Sequence, residues 1–160
     1  MNNIVEATIE IPMGTKNKYE IDKKIGKIKL NRVQYSSMSY PAEYGFVNDT
    51  LELDGDPLDI LILTSEPTFP GCLMDARVIG YLKTIDNGYP DNKIIAVNNV
   101  DPRYDEINNI QDVQKHILLE IKNFFQNYKT LQKIKVEVFD FYDKDDALKI
   151  IKECKERYKK

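Results

Sequence analysis

An α+β fold, with a strand-rich first part that reads as a barrel, is what this sequence predicts, and three observations carry the prediction. Through the first ~100 residues, short segments alternate apolar and polar with period two and are broken by turn residues. Between residues 110 and 128 the apolar spacing changes to that of a helix. The chain then returns to alternation and finishes in a second helical segment. Strands segregated from helices argue for α+β, and many short strands joined by turns argue for a barrel.

The elements follow in order. "VEATIEI" places Val5, Ala7, Ile9 and Ile11 on one face of a strand. "GKIKLNRV" alternates through Ile28 and Leu30. "DILIL", residues 59–63, is a continuous apolar run that fits a strand buried on both faces. "DARVIGYLK" and "NKIIAVN" are further strands. Turn signals at Pro12–Gly14, Asp54–Pro57, Pro67–Gly71, Asn87–Gly88 and Asp101–Pro102 separate these segments. From Ile110 to Tyr128, apolar residues at 110, 113, 117, 118, 121, 124, 125 and 128 form a helical stripe, with Asp112 as its expected N-cap. "KIKVEVF" alternates through Ile134, Val136 and Val138. A closing helix starts near Asp143 and turns Ala147, Ile150, Ile151, Cys154 and Tyr158 inward.

The 160 residues suit one domain, 1–160, and are enough for a sizeable core. With 42% hydrophobic and 31% charged residues the composition is that of a globular protein, not a disordered one. A net charge of −3 gives no bulk attraction to nucleic acid or an anionic membrane, and neither is expected as a partner. No stretch approaches the ~20 apolar residues of a membrane-spanning helix. "MNNIVEATIEIP" lacks a basic leader followed by an apolar block, so no signal peptide is expected. Cys72 and Cys154 are too few and too far apart for a disulfide framework or zinc site, and a cytoplasmic location is expected. The one histidine, His116, excludes any mechanism that needs two in a single chain. It lies outside every charged block and reads as a helix residue without a catalytic role.

The chemistry-bearing signal is "LDGDPLDILIL", where Asp54, Asp56 and Asp59 stand at the mouth of an apolar strand. In an extended segment Asp54 and Asp56 point to one side, Pro57 favours extended geometry at Asp56, and Gly55 permits a tight turn. Carboxylates that close repel unless a cation lies between them, and a hard divalent ion takes oxygen ligands. A calcium-binding EF-hand loop fails: counted from Asp54, position 6 is Asp59 and position 12 is Ser65, where glycine and glutamate are required. A solvated acidic turn is the plainer reading of "DGD" alone, but Asp59 beside "ILIL" weakens it, since such carboxylates are seldom left unpaired.

Other blocks mix both signs of charge. Asp86 and Asp91 bracket a Gly/Pro turn, and Lys93 opens the next strand. Glu10, Lys18 and Glu20 lie in "IEIPMGTKNKYEIDK". Arg32 follows, then Tyr40 and Tyr44 in "YPAEYGF", and Tyr128 and Lys129 in "NYK". Each block taken singly reads as a hairpin loop, an outward strand face or core packing. Together, carboxylates to hold cations and Lys, Arg and Tyr to hold phosphate oxygens form an inventory for metal-assisted phosphoryl transfer.

The ordered set "IEIP…KYE.DK", Arg32, "YPAEYGF", "DGDPLDILIL", "D…D.K" and "FFQNYK", from about Ile9 to Lys129, resembles the soluble family I inorganic pyrophosphatases. The resemblance implies an OB-like five-stranded β-barrel core with flanking helices, and Mg²⁺-dependent hydrolysis of inorganic pyrophosphate to two phosphates. By motif position, Asp54, Asp59 and Asp91 correspond to ligands of the activating metals, and Asp86 to a ligand for metal arriving with substrate. Glu10 and Glu20 correspond to carboxylates that orient metal-bound waters, and Asp56 to the general base. Lys18, Arg32, Lys93, Tyr44, Tyr128 and Lys129 correspond to the groups around the phosphates, with Tyr40 in the same pocket. A homo-oligomer, in the family a hexamer, is also implied. Asn123 and Asn127 stand where some bacterial hexamers place histidines.

This sequence departs from the pattern at Asn87, where the family often has an acidic residue, and in the segment after Lys129, which lacks a tryptophan common in bacterial members. A rival reading, an OB-like module that binds oligonucleotides, is opposed by the carboxylates at Glu10, Glu20, Asp54, Asp56, Asp59, Asp86 and Asp91. They would repel a phosphate backbone unless metal intervened.

Overall fold

The computed structural model describes residues 2–160. The elements are β1 (Ile4–Ile11), β2 (Asn17–Asp22), β3 (Lys27–Val33), β4 (Glu43–Val47), β5 (Asp59–Leu63), β6 (Leu73–Asp86), β7 (Tyr89–Pro90) and β8 (Lys93–Asn98), then α1 (Lys115–Asn127), β9 (Val136–Asp143) and α2 (Lys144–Lys159). The α+β prediction therefore holds, in the predicted order of strands, helix, strand, helix.

Five strands close on themselves. β1 pairs β4, β4 pairs β5, β5 pairs β8 in parallel, β8 pairs β6, and β6 returns to β1. Closure removes the exposed strand edges that would otherwise template aggregation. The length of β6, 14 residues, makes it possible. Its first part pairs β1 through Leu73–Arg77, its middle pairs β8 through Ala76–Leu82, and its far end pairs β9 and β7. At Gly45 in β4, an added Cβ would collide with the Thr8 carbonyl oxygen of β1, so only glycine permits that approach.

Both faces of the strands are covered, as "DILIL" requires. Ile60 and Ile62 join Ile94 and Ala96 beneath α2, which contributes Ala147, Leu148, Ile151 and Cys154. Leu61 and Leu63 join Ile95 and Val97 beneath α1, which contributes Ile121, Phe124 and Phe125. Alternation along β1 also holds, with Val5, Ala7, Ile9 and Ile11 all buried. Asp143 caps α2, accepting a hydrogen bond from the Asp146 N–H at 3.0 Å.

Several expectations are corrected. Ile28 and Leu30 alternate as predicted but are 48% and 50% exposed, because β2 and β3 form a separate two-stranded sheet that no layer covers. Ile134 precedes β9 and is exposed. Asp112 is not the cap of α1. It closes a short 3-10 turn at Ile110–Asp112, accepting from the Asn108 and Asn109 N–H groups, and α1 begins only after Val113 takes an extended conformation. Tyr158 is exposed on the last turn of α2. The segment around Gly55 turns instead of extending, with Gly55 at φ +90° and the Asp56 N–H donating to Asp54 Oδ1 at 2.9 Å. No helix of the described residues is long and apolar enough to cross a membrane.

Candidate active site

The barrel converges its charged blocks on one side. Asp59 opens β5 and Lys93 opens β8, and the parallel register makes them direct partners. Lys93 is 2% exposed. Its Nζ donates to Asp59 Oδ2 at 2.7 Å, to Asp91 Oδ2 at 2.8 Å and to the Tyr44 hydroxyl at 2.9 Å. The ammonium also lies 5.4 Å from the ring centroids of Tyr44 and Phe125, so aromatic faces share in replacing its water. Asp91 reaches this point because Asn87 and Gly88, at φ +51° and +84°, reverse the chain between β6 and β7. The same hairpin presents Asp86, whose carboxylate accepts from Lys129 at the end of α1. Asn87 is exposed at the tip, in a left-handed conformation that asparagine tolerates.

The small sheet supplies more cations. Lys18 and Arg32 are cross-strand partners in β2 and β3. Like charges placed directly opposite destabilise a strand pair, which is the arrangement expected where an anion settles between them. Glu20 sits 3.6 Å from Lys18. The back wall is aromatic. Tyr40 packs on Phe124 at 4.7 Å and on Tyr44 at 5.3 Å, and Tyr128 packs on Phe124 at 5.1 Å.

Every one of the fourteen residues singled out in the sequence lines one cavity of about 800 Å³: Glu10, Lys18, Glu20, Arg32, Tyr40, Tyr44, Asp54, Asp56, Asp59, Asp86, Asp91, Lys93, Tyr128 and Lys129. Two buried polar residues, one beside Tyr44 in β4 and one bonded to Tyr128, carried no functional expectation. Glu43 is fully buried; its Oε1 accepts from the Met13 N–H at 2.8 Å and its Oε2 from the Thr68 hydroxyl at 2.5 Å. Gln34 is also buried, and its side chain donates to the Tyr128 carbonyl at 2.6 Å. The available signal for Glu43 was a carboxylate inside the apolar run of "YPAEYGF". Nothing local marks Gln34.

The electrostatics are those of crowded carboxylates. Burial, and next the charge of Asp59, pushes the Glu10 carboxyl up to about 7. Burial also raises Asp59, against the pull of Lys93. At Asp91 burial works in the same upward direction but Lys93 outweighs it, holding this carboxyl below its usual range. Burial disfavours the charged form of Lys93, yet Asp59 and its other neighbours hold it well above the ordinary lysine value. Burial pushes Tyr40 up to about 12 and raises Tyr44 and Tyr128 as well, so all three phenols keep their protons and can donate. Among the described residues no three carboxylates, cysteines or histidines are clustered tightly enough to hold a metal ion as they stand. Instead, Lys93 pairs with Asp59 and Asp91, and Lys129 engages Asp86. His116, exposed on α1 beside Glu120, is no part of the cavity.

The chain is similar to known proteins along nearly its whole length. A family model for inorganic pyrophosphatase matches residues 7–159, beyond Lys129 where the motif resemblance ends. The chain is 55% identical over 157 residues to the inorganic pyrophosphatase of Geobacillus stearothermophilus, covering 98% of this chain and 95% of that one. It is 53% identical over 156 residues to the inorganic pyrophosphatase of Halalkalibacterium halodurans, covering 98% and 96%. Its fold matches the crystal structure of inorganic pyrophosphatase from Thermus thermophilus with a TM-score of 0.96 at 41% identity, covering 99% and 92%. A closed five-stranded barrel that brings the six motif blocks to one cavity, matched along nearly the whole chain, places this protein in the family I inorganic pyrophosphatases.

Proposed function

We propose that this chain, acting as one domain over 1–160, hydrolyses inorganic pyrophosphate to two phosphates with Mg²⁺ as its metal. The observation that carries the reading is one cavity in which Glu10, Glu20, Asp54, Asp56, Asp59, Asp86 and Asp91 face Lys18, Arg32, Lys93, Lys129, Tyr40, Tyr44 and Tyr128. The donor set suits Mg²⁺: it is all oxygen, without histidine or cysteine. Burial, and next the charge of Asp59, raises the Glu10 carboxyl, and a divalent ion beside it would favour its charged form. Asp54, Asp59, Asp86 and Asp91 would hold metal, and Glu10 and Glu20 would orient its waters. When bound, Mg²⁺ lowers the pKa of coordinated water and withdraws charge from phosphate oxygens.

The protein's own groups supply the rest. Asp56, exposed on the turn before β5, takes the proton of the attacking water. Lys18 and Arg32, opposed across β2 and β3, bind one phosphate and neutralise charge as the bridging oxygen departs. The protonated phenols of Tyr40, Tyr44 and Tyr128 donate to phosphate oxygens, and the aromatic wall keeps bulk water off that side. Lys93 and Lys129 add positive charge at the floor.

Phosphate release from inorganic pyrophosphate, with and without Mg²⁺, tests the reading. Release that needs Mg²⁺ and stops on chelation is the expected result; no release with any divalent ion would overturn it. A cytoplasmic location and a homohexamer belong to the same reading. Uncovered apolar side chains at Ile25, Ile28, Leu30, Val33 and Phe69 support assembly, which analytical ultracentrifugation would measure.

A further inference from the structure

The turn that carries Asp54 and Asp56 is nearly self-contained. The Glu52 N–H donates to the Asp56 carbonyl at 2.7 Å, the Gly55 N–H to the Glu52 carbonyl at 3.1 Å, and the Asp56 N–H to Asp54 Oδ1 at 2.9 Å. Residues 53–56 are exposed. Where this ring stands in the cavity is therefore set at its roots. One root, Leu58, is held by Thr50 and Val47. The other, Leu51, has both of its main-chain groups tied to the last turns of α2. Its N–H donates to the Cys154 carbonyl at 3.0 Å, and its carbonyl accepts from Arg157 Nη1 at 2.7 Å. The positive charge of Arg157 also acts on Glu52, buried at the base of the ring with its Oε1 lacking a hydrogen-bond partner. The neighbouring Tyr158 lines the same cavity as Asp54 and Asp56.

We propose that Arg157 is a positioning residue for the Asp54–Asp56 turn: by gripping Leu51 from the tip of α2, it sets where the base and one metal-holding carboxylate stand. The proposal deepens the pyrophosphatase reading and rests on it for what the turn does. The C-terminal helix, distant in sequence from every catalytic block, thereby becomes part of the active-site scaffold. A displacement of about 1 Å at a reacting group can cost roughly 100-fold in rate, so a grip that lets no direct contact with substrate be made still governs turnover.

Three variants of the full chain test this. Arg157→Met keeps the aliphatic stem and removes the donor. Arg157→Lys keeps one charged donor. Arg77→Met is the control: Arg77 holds the Tyr104 and Ile107 carbonyls, none of which line the cavity. Two quantities are read: Mg²⁺ affinity by calorimetry without substrate, and the kcat and KM of pyrophosphate hydrolysis. Arg157→Met is expected to weaken Mg²⁺ binding about 10-fold and lower kcat by about 10- to 100-fold, with KM moving about twofold. Arg157→Lys restores part of both, and Arg77→Met lowers the melting temperature but leaves both in place. The proposal falls if Arg157→Met keeps wild-type Mg²⁺ affinity and kcat, or if Arg77→Met depresses them equally. Should the wild-type chain release no phosphate, the functional reading fails, while the Mg²⁺ titration still decides the role of Arg157.

Discussion

Lys93 and Asp59 are partners across the parallel pairing of β5 and β8, and their charged ends meet 2.7 Å apart with the lysine almost wholly removed from solvent. Such a pair is costly to desolvate, and its geometry is kept by Asp91 and Tyr44 on the remaining donors of the ammonium. Lys93→Met would leave the half-buried carboxylates of Asp59 and Asp91 facing each other without their shared partner. The expected loss is about 1–3 kcal/mol in denaturant unfolding, below the range for a fully buried pair because water reaches both carboxylates. Adding Asp59→Asn should recover much of that stability and none of the activity. A single variant as stable as wild type would show that the pair is not structural.

Asp56 lies on an exposed turn and makes no side-chain contact that the fold depends on. Asp56→Asn should therefore lower kcat by about 10²- to 10⁴-fold, the usual contribution of a positioned base, while the melting temperature stays within a degree or so of wild type. Stopped-flow or coupled phosphate assays measure the first and calorimetry the second. Retained turnover would remove Asp56 from its assigned role.

Asp101 supplies a pH dependence away from the cavity. Its Oδ2 accepts from the Ser65 N–H at 2.9 Å and the Ser65 hydroxyl at 2.7 Å, and its Oδ1 from the Arg103 N–H at 3.2 Å. The Ser65 side-chain bond is the leading cause that holds this carboxyl at about 2, below its ordinary 3.8. The folded state thus binds fewer protons than the unfolded state in that interval. The stabilisation is present above the ordinary value and disappears as pH falls through about 2. The melting-temperature gap between wild type and Asp101→Asn should be level from pH 5 upward and close between about pH 4 and pH 2. A gap that widens on acidification would contradict this sign.

Gly45→Ala tests barrel closure. The added methyl would meet the main chain of Thr8 and Ile9, which cannot move without opening the β1–β4 pairing. The variant should express poorly or unfold at much lower denaturant, whereas Gly55→Ala, where nothing stands within 4 Å, should be limited to the cost of its positive φ. Equal midpoints for the two would mean that β4 has slack.

Much of the core was legible because burial imposes periodicity. The stripe from Ile110 to Tyr128 packs as its spacing requires even though the helix starts later than expected, since spacing reports which residues face inward and not where the backbone bends. Ile28 and Leu30 show the opposite case. Alternation in β3 is real, but whether an apolar face is covered depends on whether another layer arrives, and none does. Asp54 and Asp56 could be assigned to one site by type and order, but their geometry is a turn closed by a side-chain hydrogen bond, not an extended pair.

The sequence by itself determined the α+β class, the strand and helix segments that form the core, and the identity of the residues that gather in the cavity. These follow from residue type and short-range spacing, and the motif blocks carry them within single stretches. Only the tertiary structure decided that Lys93 bridges Asp59 and Asp91, that Gln34 holds the end of α1, and that Arg157 grips Leu51. Each of these joins positions that local sequence cannot relate. Their meeting depends on barrel closure and on the register between strands, and a one-residue slip would turn the paired side chains to opposite faces.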